Sequence, residues 1–210
     1  MPALPFDSML FVALSVLIAA TLRPWRMLRG PLLQPALAAL VLLPLAWAGS
    51  AGHAMGMSLQ FSGACLLVLL LGWPLATLLM PPVALAAVWL AGWSALQALD
   101  ALVWLGLLPA LGALGVGWLV RHALPRHPFV FLLGRAFFGT LLVLTLCGLA
   151  RSWSAGGNAA LAALDLLIGH WLLAWGEAII TGMLATALMV YRPQWLATFS
   201  DRLYLPPRQP

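Results

Sequence analysis

Long apolar runs, interrupted by short clusters of arginine, proline and glycine, are the dominant pattern along this 210-residue chain. A membrane-crossing helix needs about 20 apolar residues to span the ~30 Å hydrocarbon core of a bilayer. Cutting the chain at its charges, prolines and glycines predicts seven spans: 8–22, 31–48, 60–79, 82–98, 101–120, 128–149 and 171–191. The spans 82–98 and 101–120 are joined by little more than Asp100, which predicts a tight helical hairpin or a partly re-entrant segment.

The composition indicates lipid as the solvent for most of the protein. Hydrophobic residues make up 64% of the chain and charged residues 7%, and a soluble domain cannot bury that much apolar surface. We therefore expect an all-α, multi-pass integral membrane protein with one transmembrane domain over 1–205 and a short cytoplasmic tail at 206–210. The first apolar run is preceded by Asp7 and not by a basic region, so we expect a retained helix rather than a signal peptide.

The positive charges indicate the orientation of the spans. All ten are arginine, and short cytoplasmic loops collect arginine. With seven spans and an exterior N-terminus, Arg151 falls outside and Arg135 falls within the sixth span. The other eight fall inside: Arg23, Arg26, Arg29, Arg121, Arg126, Arg192, Arg202 and Arg208. We predict an exterior N-terminus and a cytoplasmic C-terminus, and we exclude nucleic acid because no basic patch is interleaved with stacking aromatics.

Four ionisable residues lie within or beside the last two spans: Arg135, Asp165, His170 and Glu177. An ionisable group at membrane depth costs at least ~2.5–3.5 kcal/mol, so it is retained by facing a partner, a cavity or a ligand. His170 and Glu177 share a helix face but are separated by ~10.5 Å along the axis, which predicts two groups lining one path. In the predicted orientation a solute from outside meets Asp165 and His170 first and Glu177 deeper.

A structural alternative exists for Glu177. The carboxylate could pair with Arg135 of a neighbouring helix, and a buried pair is costly to break whatever its role. Both interpretations place Glu177 inside the bundle.

His53 is a further candidate ligand, because Met55 and Met57 follow it in the same exterior loop. Imidazole and thioether groups suit transition metals better than calcium or magnesium, although a single loop histidine is usually just solvated. Cys65 and Cys147 lie in apolar runs and form no disulfide framework or metal-binding spacing. No hydrolase, metalloprotease or nucleotide-binding motif is present, so we expect neither an enzyme nor a resident cofactor.

Three segments carry a resemblance to a known family. EAIITGMLATALMVYRPQWL, at 177–196, has a glutamate, a T-G pair and an R-P at the helix exit; SLQFSGACLLVLLLGWPLATLL, at 58–79, has a turn followed by a G-W-P break. These segments resemble the CbiM-like permeases, the substrate-capturing membrane subunits of energy-coupling factor transporters for cobalt and nickel. LPRHPFVFLLGRAFFG, at 124–139, is similar to a divergent branch of that family.

The resemblance implies a seven-helix bundle in a bacterial cytoplasmic membrane, working in uptake with a transmembrane coupling subunit and ATP-binding subunits. It also implies a metal site made from the N-terminal amine, a histidine at position 2 and a histidine in the turn before the third helix. Here those positions hold Pro2 and Gln60, which cannot supply the nitrogen ligands that cobalt and nickel prefer. The expected solute is a transition-metal ion or a related small solute, and the candidate site residues are His53, Gln60, His170 and Glu177.

Two functions of other classes stay open. A non-transporting scaffold would use the small residues that recur every four positions along the last span, Ala174, Ala178, Gly182 and Thr186. Such a stripe favours close helix packing, either inside the bundle or with a partner. An intramembrane redox or metal protein would use His53 and His170 as axial ligands.

Overall fold

The computed structural model describes residues 5–28, 30–49, 60–125, 127–154 and 160–199. Within these ranges the chain is helical and contains no strand. The helices are α1 (Pro5–Thr21), α2 (Leu33–Gly49), α3 (Ala64–Leu71), α4 (Trp73–Ala91), α5 (Ala95–Ala123), α6 (Pro128–Ser154) and α7 (Ala160–Tyr191), with 3-10 turns at Pro24–Leu28 and Pro193–Trp195.

Within the described part of the chain, four helices are long and apolar enough to cross a membrane: Trp73–Ala91, Ala95–Ala123, Pro128–Ser154 and the part Leu166–Tyr191 of α7. The apolar helices Phe6–Thr21 and Leu33–Gly49 are shorter. Large apolar side chains cover the outer surface, as Trp89 and Val190 illustrate with 88% and 69% exposure. The predicted all-α class is confirmed for the described residues, and their long apolar helices are consistent with a multi-pass membrane protein. The count of seven spans and their orientation stay predictions.

The predicted division between the third and fourth spans is wrong. Pro81 and Pro82 lie inside α4, although neither has an N–H to donate to the preceding turn. The break comes earlier, at Gly72, whose φ of +78° is readily adopted by glycine and ends the eight-residue helix α3. Bundle helices tolerate internal proline when neighbouring groups surround the freed carbonyls, so proline was a poorer marker than glycine here.

The predicted hairpin at Asp100 is also wrong. The chain turns at Gly92, where φ is +67° and the backbone N–H donates to the carbonyl of Val88 over 2.9 Å. Ser94 and Gln97 then form a capping box that starts α5. Asp100 lies within continuous helix two turns later, where a carboxylate at the helix surface does not interrupt the backbone pattern.

Short connections set the packing of the last three long helices. Four residues separate α5 from α6 and five separate α6 from α7, so each helix runs antiparallel to the one before it. One end of the bundle holds Ser94, in the turn between α4 and α5, together with Ser154 at the end of α6. We call it the Ser94 end. The opposite end holds the exit of α7, and we call it the Thr198 end.

The short helix α3 lies in the middle of the bundle. It packs against α2, α4, α5 and α7, and most of its side chains are buried. Its C-terminal carbonyls are paired by the chain that follows α7: Ala197 N–H donates to Leu70 O over 2.8 Å, and Thr198 Oγ1 donates to Leu69 O over 2.8 Å. Helix α3 therefore ends at the Thr198 end, and at ~12 Å long it covers only part of the bundle depth.

Candidate functional site

Residues Gln60–Gly63 lead into α3 as non-helical backbone inside the bundle. Gly63 has a φ of +68°, and a Cβ at this position would lie 2.7 Å from Leu43 Cδ1. Trp47 Nε1 donates to the carbonyl of Ser62 over 3.2 Å, which attaches the segment to α2. The positive φ favours glycine at position 63, and a side chain there would also displace the end of Leu43.

Glu177 of α7 caps the start of α3. Its Oε2 accepts a hydrogen bond from Ser62 N–H over 2.8 Å, and its Oε1 accepts one from Gly63 N–H over 2.7 Å. The side chain is 1% exposed. Both donors lie in the turn immediately before α3, where the chain offers no helical acceptor, and the N-terminal end of a helix carries partial positive charge. A carboxylate therefore satisfies both the hydrogen-bond and the electrostatic requirement there.

Ser62 ties the same turn to α5. Its Oγ donates to the carbonyl of Leu105 over 2.6 Å and accepts from Ala64 N–H over 3.2 Å. Leu105 lies four residues before Pro109, which has no N–H to donate back, and within the π-helical stretch Leu102–Leu107. Its carbonyl is therefore available to the serine, and the turn before α3 is held by α2, α5 and α7 together.

A small cavity of about 40 Å³ lies beside this turn. Three of the four residues predicted to bind a solute, Gln60, His170 and Glu177, line it together. The remaining lining residues are Ser62, Trp104, Leu105, Leu144, Cys147, Gly148, Arg151, Leu173 and Ala174. We call this space the inner cavity. A water molecule needs roughly 10–15 Å³, so the cavity has room for a small ion with a few waters.

The hydrogen bond of His170 fixes which ring nitrogen carries the proton. Its Nδ1 lies 2.8 Å from the carbonyl oxygen of Leu166, and because a carbonyl only accepts, Nδ1 carries the proton. In the neutral ring Nε2 then keeps its lone pair, the form in which imidazole binds metals. Gly148 of α6 makes the close approach possible, since a Cβ there would lie 2.9 Å from His170 Cβ.

A second, more open pocket of about 390 Å³ lies toward the Ser94 end, and we call it the end pocket. It is lined by Gln60, Trp93, Leu96, Gln97, Asp100 and Arg151. Arg151 Nη2 donates to Asp100 Oδ2 over 2.7 Å, joining α6 to α5. Gln60 and Arg151 line both the end pocket and the inner cavity.

The remaining predicted residues do not join this site or cannot be placed in it. His53 lies outside the described residues, and so does the side chain of Asp165. Arg135 lies in the π-helical stretch Phe131–Phe137, with its guanidinium carbon 5.5 Å from the centroid of the Phe131 ring. The ion pair between Glu177 and Arg135 is not formed, because the Glu177 carboxylate accepts from backbone N–H groups instead.

The stripe of small residues on α7 is divided. Ala174 and Ala178 are fully buried, which agrees with packing inside the bundle. Gly182 and Thr186 line an apolar groove on the surface of α6 and α7. Docking of a partner along these last two positions stays a prediction.

Sequence reasoning missed Ser62, Cys147 and the Arg151–Asp100 pair. A serine followed by glycine before an apolar run is a turn signal, so Ser62 and Gly63 could have been identified as a break. The ion pair had no such signal, because Asp100 and Arg151 are 51 positions apart in the chain.

The described residues do not form a ready-made metal cage. Among them, no three His, Cys, Asp or Glu side chains lie close enough together to hold an ion. The inner cavity instead offers one imidazole nitrogen, two amide or hydroxyl groups and a carboxylate. That set suits an ion that keeps some of its own water ligands.

Comparison of the chain with protein-family models, curated proteins and solved structures finds no match. The functional interpretation therefore relies on the geometry of the chain's own residues and on the resemblance of the three segments described above.

Proposed function

We propose that this chain is the solute-capturing membrane subunit of an energy-coupling factor type transporter, and that it holds its solute in the inner cavity. One observation carries the proposal. Gln60, His170 and Glu177 come from two distant parts of the chain and line a single cavity at the point where α3 begins.

The broken backbone before α3 supports a transport role. Non-helical backbone at membrane depth is tolerated only where protein surrounds it or where it lines a cavity. Secondary transporters place their solute sites at such half-helix ends. A bundle without a ligand would be more stable with an unbroken apolar helix here, so the turn at Gln60–Gly63 favours a binding function.

For the topology we propose seven crossings, with Gln60–Leu71 as the third. The Ser94 end is then exterior and the Thr198 end cytoplasmic, because Arg121 and Arg192 lie at the Thr198 end and cytoplasmic loops collect arginine. The N-terminus is exterior and the C-terminus cytoplasmic. A bacterial cytoplasmic membrane is the proposed location.

The proposed solute is a transition-metal ion that enters with part of its hydration shell. His170 Nε2 is the nitrogen ligand, while Gln60 and Glu177 accept hydrogen bonds from the ion's water ligands. The chain has no nucleotide-binding motif. Energy must come from partners, a transmembrane coupling subunit and ATP-binding subunits.

Calorimetric titration of the purified protein with cobalt and nickel tests the proposal. We expect binding by the wild type and at least tenfold weaker binding by His170→Ala and Gln60→Ala. His122→Ala is the matched control: its Nδ1 also lies 2.8 Å from the carbonyl four residues earlier, that of Trp118, but the side chain is exposed and outside the cavity. Absence of binding by the wild type, or equal losses in the His122 and His170 variants, would overturn the proposal.

A further inference from the structure

We infer that the end pocket is the entrance to the inner cavity, and that the Arg151–Asp100 ion pair gates this entrance and makes it selective for small cations. The inference rests on the proposed function for the identity of the solute. The path itself is argued from the two cavities and the charges along them.

The two cavities share two lining side chains. Gln60 and Arg151 line both spaces, whereas Asp100 lines the end pocket but not the inner cavity, and His170 and Glu177 line the inner cavity but not the end pocket. A solute that passes directly from one space to the other moves past Gln60 and Arg151. The guanidinium of Arg151 is held by its 2.7 Å bond to Asp100, which lines the end pocket.

The pair is placed so that it can open. The side chain of Arg151 is 23% exposed and that of Asp100 is 49% exposed. Ion pairs in contact with solvent contribute little to stability, because water replaces the bond with small loss. An arriving cation can take the Asp100 carboxylate as a partner while the guanidinium moves aside.

The charges along the path favour cations. Asp100 neutralises Arg151 at the end pocket, and the carboxyl oxygens of Glu177 lie at the inner end of the path. Without Asp100, a lone guanidinium at the end pocket would repel a cation and attract an anion. Asp100 is thus the residue that determines which sign of charge enters.

A second pocket that reaches His170 offers a competing route into the inner cavity. His170 also lines a pocket of about 230 Å³ on the surface of α6 and α7, together with Thr145, Leu149, Leu167, Ile168 and Trp171. This lining is almost entirely apolar, and hydrated ions lose too much solvation there. The end pocket is the polar route.

Cys147 provides a direct probe, because it is a free, half-buried thiol that lines the inner cavity. In the full chain, Cys65→Ala removes the other thiol, and Cys147 is then labelled with a cationic aminoethyl or an anionic sulfonatoethyl methanethiosulfonate. Rates are divided by the rate of each reagent with a free thiol. We expect at least tenfold faster labelling by the cation.

Four variants in this background test the path and the gate. Arg151→Gln should speed labelling by the cation about tenfold, and Asp100→Asn should lower the cation-to-anion ratio about tenfold. Gln97→Trp, which fills the end pocket, should slow both reagents, whereas Leu167→Trp, which fills the apolar pocket, should slow neither. Thermal unfolding identifies any variant that has lost its fold.

The inference is overturned if Leu167→Trp slows labelling while Gln97→Trp does not, or if Asp100→Asn leaves the ratio unchanged. Labelling needs no solute, so its result is independent of the titrations with cobalt and nickel. If labelling follows the expected pattern but the titrations show no metal binding, the entrance is supported and the proposed solute is rejected. If the metal binds but Asp100→Asn leaves the ratio of cationic to anionic labelling rates unchanged, only the gate is rejected.

Discussion

Glu177 Oε1 accepts a 2.7 Å hydrogen bond from the backbone N–H of Gly63, which lies 114 positions earlier in the chain. With the bond from Ser62 N–H, it joins the last long helix to the start of the half-length helix α3. The carboxylate thus has a structural role beside the cavity that it lines. Replacing it tests both roles, and the readouts must separate them.

Glu177→Gln should lower stability. The amide replaces one acceptor oxygen with an NH2 group, so either Ser62 N–H or Gly63 N–H loses its acceptor in a buried position. Hydrogen bonds to charged groups contribute about 1.5–3 kcal/mol each, and we expect a loss of about 2 kcal/mol. Thermal unfolding in detergent should show a Tm lower by roughly 4–8 °C for a chain of this size; an unchanged Tm would contradict the capping role.

Gly63→Ala should destabilise the protein by about 1–3 kcal/mol, because it imposes a positive φ on a residue with a side chain. The new Cβ would also lie 2.7 Å from Leu43 Cδ1. Gly176→Ala is the matched control, since its Cβ would have nothing within 4 Å and it lies next to Glu177. A Tm that falls equally in the two variants would argue against a special backbone at Gly63.

Gly148→Ala should weaken metal capture and also lower stability. Its Cβ would lie 2.9 Å from His170 Cβ, which moves only with its backbone, so α6 and α7 must separate there and displace the imidazole from the inner cavity. We expect at least tenfold weaker cobalt binding, measured by calorimetry. Gly115→Ala, where a Cβ would have nothing within 4 Å, should bind cobalt like the wild type; equal affinities in all three proteins would place the ion elsewhere.

Glu177 and Arg135 should act independently. The carboxylate accepts from Ser62 and Gly63 N–H groups, so removing the guanidinium does not remove its partners. In a double-mutant cycle of Glu177→Gln and Arg135→Gln, we expect the two changes in unfolding free energy to add within about 0.5 kcal/mol. A coupling well above 1 kcal/mol would restore the ion-pair interpretation.

The helical membrane class followed from the apolar runs, but the helix boundaries depended on which residue breaks the chain. The proline pair at Pro81 and Pro82 suggested a boundary and did not make one, because the surrounding bundle accommodates the lost N–H donors. Gly72 and Gly92, with positive φ, mark the turns that the chain makes. Positive φ is a backbone property that the apolar pattern does not report.

For the site, the sequence indicated which polar residues come together better than it indicated their hydrogen-bond partners. Gln60, His170 and Glu177 were identified from their polarity at membrane depth and from the resemblance, and they line one cavity. The partner of Glu177 was unpredictable from charge pairing, because its donors are backbone N–H groups that any residue type carries. The Arg151–Asp100 pair gave no local signal because its two residues are 51 positions apart in the chain, and the predicted division of the helix at Asp100 hid it further.

The most direct test of solute capture is a crystal structure of the protein with cobalt, using the anomalous scattering of the metal to locate it. We expect one strong peak in the inner cavity, about 2 Å from His170 Nε2 and close to Gln60 and Glu177. A peak at His53, His122 or His127 with an empty cavity, or no ordered cobalt at all, would contradict the central claim.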